Sequence, residues 1–128
     1  MHKREEPHLP WQPPLVSGGA SRIRGTAWAV GTLCAQVQPA AGGDVLELRW
    51  EEACSFRLTR EDCRKDWWRL EGEEHWSFWR SEDSDYLRDF CRDCALCPGR
   101  VIHFVVAGKN QILDVLALGE PDVRRMPG

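Results

Sequence analysis

The chain has 128 residues, of which 42% are hydrophobic and 29% charged, and its formal net charge is −3. This length fits one domain with its own hydrophobic core. The 17 basic residues are mixed among 20 acidic ones, so the chain lacks the basic excess that is typical of nucleic-acid-binding proteins. No apolar run approaches the ~20 residues of a membrane-spanning helix. We therefore expect neither a nucleic acid nor a membrane as partner.

Residues 1–20 predict a flexible, proline-rich arm. Prolines favour extended backbone, and Ser17-Gly18-Gly19 adds conformational freedom. The four prolines are Pro7, Pro10, Pro13 and Pro14. The arm contains no apolar stretch of signal-peptide length. We therefore expect an intracellular protein, cytoplasmic or nuclear, whose six cysteines are free thiols because that environment is reducing.

Alternating side chains predict strands in the first half of the chain. Residues 26–37 alternate as one continuous strand, and residues 45–51 alternate between apolar and charged side chains. A third short strand is expected at residues 54–58, followed by a helix start at Thr59 and a further strand within residues 73–80. Strands with one apolar and one charged face favour an antiparallel sheet.

Residues 81–97 predict the main helix. When each residue advances by the helical ~100°, the apolar side chains fall on one stripe. The stripe consists of Tyr86, Leu87, Phe90, Cys91, Cys94 and Cys97. Pro98-Gly99 is typical of a helix end.

Two apolar runs within residues 101–118, joined by a turn at residues 108–110, predict a β-hairpin. Residues 119–128 are polar and predict a loose C-terminal tail. We therefore expect a single α+β domain over residues 21–118. Its antiparallel sheet should have five to seven strands, with the helix of residues 81–97 packed on one face.

The stretch between residues 66 and 80 combines tryptophans with many carboxylates. Tryptophan is enriched at the energetically dominant positions of protein interfaces, and the acids would repel a phosphate backbone. We assign Trp67 and Trp68 to the core. The partner-binding residues are expected to be Trp76, Trp79, Phe78, Glu73 and Glu74. The alternative is that all these rings fill the core of a small domain.

The helix also offers a candidate metal site. Cys91, Cys94 and Cys97 are three residues apart, so their thiolates could face one zinc ion, with His75 as a fourth ligand. The alternative is that the three cysteines pack as small hydrophobic side chains, since they share the stripe of Phe90. On that interpretation the chain has no metal and no cofactor.

His103 and Asp114 are the polar residues within the two apolar runs of the hairpin. A turn at residues 108–110 would bring them within a rung or two of each other. Such a pair could serve as a general base and its orienting acid, or it could be a structural hydrogen bond.

These patterns favour a non-enzymatic adaptor or regulatory module that binds another protein through its acidic, Trp-rich segment. A zinc-binding regulatory domain is the second hypothesis. A small enzyme that uses His103 and Asp114, or a reactive cysteine, is the third. The pattern does not define an oligomeric state, and a homo-oligomer is compatible with it.

Overall fold

The computed structural model describes residues 8–16, 21–39, 42–60, 77–93 and 101–126. In chain order the described strands are β1 (Leu9–Pro10), β2 (Ser21–Ala29), β3 (Thr32–Pro39), β4 (Leu46–Trp50), β5 (Ala53–Arg60), β6 (Phe78–Ser81), β7 (Ile102–Ala107), β8 (Gln111–Ala117) and β9 (Asp122–Arg125). The helix α1 (Asp85–Asp93) lies between β6 and β7. No helix in these ranges is long and apolar enough to cross a membrane.

The strands form two antiparallel sheets. One has five strands in the order β1-β6-β7-β8-β5, and the other has four in the order β2-β3-β4-β9. All neighbouring strands run antiparallel. The predicted α+β class with antiparallel strands is therefore confirmed in outline. The prediction of five to seven strands in one sheet is wrong, because the nine described strands divide between two sheets.

The core lies between the two sheets. Side chains alternate between the faces of a strand, so each sheet turns one set inward. The five-stranded sheet contributes Phe78, Phe104, Val106, Leu113, Val115 and Ala117 to the buried cluster. The four-stranded sheet contributes Ile23, Leu33, Ala35, Val37, Leu46, Leu48 and Trp50. This shared burial holds the two sheets together.

Helix α1 packs on the other face of the five-stranded sheet. Leu87 contacts Val101 and Leu116 in a small buried cluster, and Tyr86 and Phe90 pack against it. This contact is made by a helix that begins at Asp85, and it involves Tyr86, Leu87, Phe90 and Cys91 of the predicted stripe, so the packing differs from that predicted for a helix over residues 81–97. The described elements form three layers in the order four-stranded sheet, five-stranded sheet and helix.

The prediction of a helix over residues 81–97 is wrong at its start, and residues 94–97 lie outside the described residues. Ser81 belongs to β6, and the helix begins at Asp85. Acidic residues at 82 and 83 resemble the first turn of a helix, which favours charges of this sign. The residue that caps the helix is Ser84, whose hydroxyl accepts the backbone N–H of Leu87 at 3.1 Å.

Residues 26–37 form two strands, so the prediction of one continuous strand is wrong. The chain reverses at Val30-Gly31, where φ is 50° and 80°, and Ala29 pairs with Thr32. A two-residue turn with two positive φ angles usually carries Asn, Asp or Gly at its first position. Because valine stands at this position, the sequence gives no signal of the turn.

Residues 8–16 are folded, which corrects the prediction of a flexible arm over residues 1–20. β1 pairs with β6, and the backbone N–H of Trp11 donates to the carbonyl of Phe78 at 3.0 Å. The Trp11 ring is 7% exposed and lies beside two core phenylalanine rings. Burial of this large ring helps to offset the entropy that is lost when a proline-rich segment is ordered.

The prediction of a loose tail over residues 119–128 is wrong at β9. This strand pairs with β4, and Val123 packs against the core. Arg124 donates to the carboxylate of Glu47 at 3.0 Å. With four residues and a single apolar side chain, β9 has too little alternation to be predicted from its pattern.

Candidate functional site

The outer face of the five-stranded sheet carries a buried polar network. Asp114 on β8 pairs directly with Val105 on β7, and paired residues project from the same face of a sheet. His103 lies two residues from Val105, so His103 and Asp114 both project from this outer face. His103 Nε2 lies 2.7 Å from Asp114 Oδ1. The prediction that the hairpin brings these two residues together is therefore confirmed.

Ser84 completes this arrangement from the start of helix α1. Its hydroxyl oxygen lies 2.6 Å from His103 Nδ1 and also accepts the N–H of Leu87. A neutral imidazole with its proton on Nε2 satisfies every bond: Nε2–H donates to Asp114, and the Ser84 hydroxyl donates to Nδ1. The histidine therefore ties the helix cap to the sheet.

Arg57 on β5 extends the network to the surface. Its Nε donates to Asp114 Oδ2 at 2.9 Å, so both carboxylate oxygens have a partner. The guanidinium carbon also lies 4.2 Å from the centre of the Tyr86 ring, a cation–π geometry. The Tyr86 hydroxyl is 2.7 Å from the hydroxyl of Ser55. Burial raises the pKa of Tyr86, and the bond to Ser55 and the charge of Arg57 partly oppose that rise.

Ser84, His103 and Asp114 are hydrogen-bonded in the same order as the catalytic triad of hydrolytic enzymes, in which the serine oxygen attacks a substrate. Here Ser84 and Asp114 are 0% exposed and His103 is 1% exposed. The serine oxygen also accepts the N–H of Leu87 as the helix cap. A nucleophile must reach a substrate, so this geometry suits a structural network that joins the helix, β7, β8 and β5.

The structure places the expected partner-binding residues in different surroundings. Phe78 is 0% exposed and lies between the sheets, and Trp79 is 6% exposed on the outer face of the five-stranded sheet. Neither ring is available to a partner in this conformation. Trp76, Glu73 and Glu74 lie outside the described residues, so the prediction for these three stays a prediction.

The cysteine helix is described only in part. Cys91 is disulfide-bonded, whereas Cys34 and Cys54 form no disulfide bond. The expectation of free thiols therefore does not hold at Cys91, and a bonded sulfur is not a thiolate ligand for zinc. The other proposed ligands, Cys94, Cys97 and His75, lie outside the described residues. Within those residues, no group of three or more candidate ligand side chains could hold a metal ion.

A second candidate site is an exposed apolar surface beside the β2–β3 turn. We name it the hairpin patch, and its residues are Trp28, Val30, Phe56, Leu58 and Leu118. Trp28 is 43% exposed, and its ring centre lies 5.3 Å from that of the partly buried Phe56. Val30 is 100% exposed, while Leu58 and Leu118 are exposed by more than a third.

Backbone hydrogen bonds hold the hairpin patch together. The N–H of Ala53, the first residue of β5, donates to the carbonyl of Gly31 at 3.0 Å. The N–H of Leu118 donates to the carbonyl of Glu52 at 3.1 Å. The turn between β2 and β3, the start of β5 and the end of β8 are therefore neighbours. Phe56 and Leu58 project from the same face of β5 because they are two residues apart.

Several of these residues are not among the sites predicted from the sequence. Ser84 could have been recognised as a helix cap, because it precedes the first residue of the apolar stripe. Arg57 carries no such signal, since its role depends on the pairing of β5 with β8. Trp28 and Val30 are concealed by their assignment to one continuous strand.

Comparisons of the chain with protein-family models, with curated proteins and with solved structures give no match. The inference of function therefore depends on the buried network and the hairpin patch.

Proposed function

We propose that this chain is a non-enzymatic module that binds another protein through the hairpin patch. The observation that carries the proposal is Val30, which is fully exposed and has a φ of 50°. For a residue with a Cβ, the left-handed conformation costs roughly 1–2 kcal/mol, and a β-branched side chain is among the least suited to it. Within the described fold, no burial of this side chain offsets that cost.

A strained, exposed apolar residue is a reason to suspect a function. Asparagine at the same position would suit the turn better, because its short polar side chain tolerates positive φ and remains hydrated. A partner that buries the Val30 side chain would recover free energy by removing apolar surface from water. The same partner could cover Trp28, which projects from the strand leading into the turn.

The composition of the hairpin patch supports a protein partner. Tryptophan is enriched at the positions that dominate binding energy in protein interfaces, and such positions are surrounded by contacts that exclude water. Here the Trp28 ring lies against Phe56, and the exposed Val30 follows Trp28 by two residues at the turn. The patch therefore combines an aromatic pair with exposed aliphatic side chains, which suit an apolar segment of another protein.

The burial of Ser84 and His103 favours this proposal over a small enzyme, because neither side chain can contact a substrate without opening the fold. The acidic, Trp-rich segment remains a second part of the proposed interface through Trp76, Glu73 and Glu74. A zinc-binding role receives no support from Cys91, since its sulfur is bonded.

The test compares two patch variants with a matched control. Trp28→Ser and Val30→Asn remove apolar surface from the patch, whereas Leu9→Ser removes it from a side chain that is 66% exposed on β1. β1 and β5 lie at opposite edges of the five-stranded sheet. Proteins captured from cells that produce the chain are quantified for all three variants, after melting curves show that each remains folded.

We expect a partner that is lost with both patch variants and retained with Leu9→Ser. For that partner, purified, Trp28→Ser should weaken binding by about 30-fold, since a dominant interface residue contributes about 2 kcal/mol or more. Equal retention by all folded variants would contradict the proposal. Sedimentation of the purified chain measures its oligomeric state and so tests the other outcome, in which the patch binds a second copy of the same protein.

A further inference from the structure

The turn between β7 and β8 is joined to the start of β2 by backbone-directed hydrogen bonds. The N–H of Lys109 donates to the carbonyl of Ser21 at 2.9 Å. The Asn110 side chain accepts the N–H of Ile23 at 3.2 Å and donates to the carbonyl of Ile23 at 3.0 Å. These bonds connect the two sheets and place Lys109 beside Arg22.

A cavity of about 330 Å³ opens at this junction. It is lined by Arg22, Gln38, Pro39, Gly42 and Lys109. Gly42 has a φ of 95°, a conformation that favours glycine, so a side chain would be strained there. The volume is within the range of small-molecule sites.

The cations around this cavity differ from most of the other described cations. Ion pairs with carboxylates are formed by Arg49, Arg57, Arg80, Arg88, Arg92, Arg124 and Arg125. Arg22, Arg24 and Lys109 form no such pair within the described part of the chain. Arg22 and Lys109 line the cavity, and Arg24 bonds to Gln38, which also lines it.

Gln38 connects the third of these cations to the cavity. Its side-chain oxygen accepts Arg24 Nη1 at 3.0 Å, and its side-chain nitrogen donates to the carbonyl of Gly43 at 3.3 Å. Arg24 is therefore bonded to a neutral amide that lines the cavity. In a chain with a net charge of −3, two cations without a carboxylate partner line one cavity, and a third bonds to its Gln38.

We propose that this cavity binds a small oxyanion, with the phosphate group as its chemical class. Neighbouring cations repel each other, and a bound anion would neutralise that repulsion. The guanidinium of Arg22 can donate two parallel hydrogen bonds to phosphate oxygens, and Lys109 supplies a mobile point charge. The Pro39 ring lines the same cavity and provides an apolar wall beside the bound phosphate group. The site is separate from the hairpin patch and does not depend on the proposed partner.

The probe is inorganic phosphate, titrated into the full chain at constant ionic strength and followed by chemical shifts of backbone amides. We expect saturable shifts at residues that line the cavity, with a Kd on the order of 1 mM. Arg22→Gln and Lys109→Gln should each weaken binding by about tenfold or more, because each removes charge-assisted hydrogen bonds. Arg49→Gln, on the same sheet but paired with Glu51, is the matched control and should keep the affinity within about twofold.

Two further arms test the class of ligand. Acetate should bind more weakly than phosphate, and chloride should produce no saturable shifts. The proposal is overturned if phosphate shifts are absent or spread over the whole surface. It is also overturned if Arg49→Gln lowers the affinity as much as Arg22→Gln, or if acetate binds as tightly as phosphate.

Discussion

Replacing Val30 with asparagine should make the isolated protein more stable. The wild-type turn places a fully exposed, β-branched residue at a φ of 50°, next to Gly31 at 80°. Val30→Asn should recover most of the roughly 1–2 kcal/mol that the left-handed conformation costs such a residue. Asn-Gly is the favoured pair for a two-residue hairpin turn in which both φ angles are positive.

The size of the effect can be measured in two ways. A gain of about 1 kcal/mol corresponds to a rise in Tm of roughly 3–6 °C for a domain of this length. In urea, the midpoint should increase while the slope m stays constant, because the surface exposed on unfolding hardly changes. The rate of unfolding and the rate of refolding, measured on the same samples, would show whether the turn forms before the transition state.

Two further variants at Val30 separate strain from surface polarity. Val30→Thr keeps the β-branch and replaces one methyl group with a hydroxyl group, so it should leave the stability unchanged. Val30→Gly removes the strain but increases the freedom of the unfolded chain, so it should gain less than Val30→Asn. The reasoning is refuted if Val30→Asn is no more stable than the wild type, or if Val30→Thr gains as much.

The buried network supports three more predictions. Asp114→Ala should lower the free energy of unfolding by about 3–5 kcal/mol, measured in urea, because it removes one member of a buried charged network; a loss below about 1 kcal/mol would contradict the network's role. Ser84→Ala should lower the free energy of unfolding by about 2–4 kcal/mol, because the helix loses its cap and His103 Nδ1 loses its donor. Wild-type Ser84 should resist a fluorophosphonate probe, and labelling of Ser84 would support the enzyme hypothesis. Tyr86 is the only tyrosine, so its ionisation can be followed by absorbance, and its pKa should be above the ordinary value of 10. Because the folded-state pKa is raised, the stability that depends on neutral Tyr86 is present below about pH 10 and is lost as the pH rises through the folded-state pKa; titration at or below pH 10 in the native protein would contradict this.

The parts of the fold that could be predicted are those with strong local patterns. The β7–β8 hairpin combines two apolar runs with a polar turn, and β4 alternates cleanly between apolar and charged residues. Helix α1 has an apolar stripe wide enough to identify its face. The proximity of His103 and Asp114 followed from hairpin geometry alone.

The parts that could not be predicted depend on contacts between distant residues. β1 and β9 are short, and each is held by a partner strand more than 60 residues away in the chain. The division of the strands into two sheets has no local signal. Arg57 was missed in the same way, because it reaches Asp114 through the pairing of β5 with β8. The hairpin patch was missed because Val30 gives no sequence signal of a turn.

The pairing of β9 with β4 has a consequence for the order in which the fold can be completed. During synthesis from the N-terminus, β9 emerges after the other eight described strands. Until then the four-stranded sheet lacks its last strand, and Glu47 has no Arg124 beside it. Because pairings between residues so far apart in the chain form slowly, we expect a nascent chain that ends before Asp122 to remain sensitive to protease, and resistance to develop only after β9 leaves the ribosome.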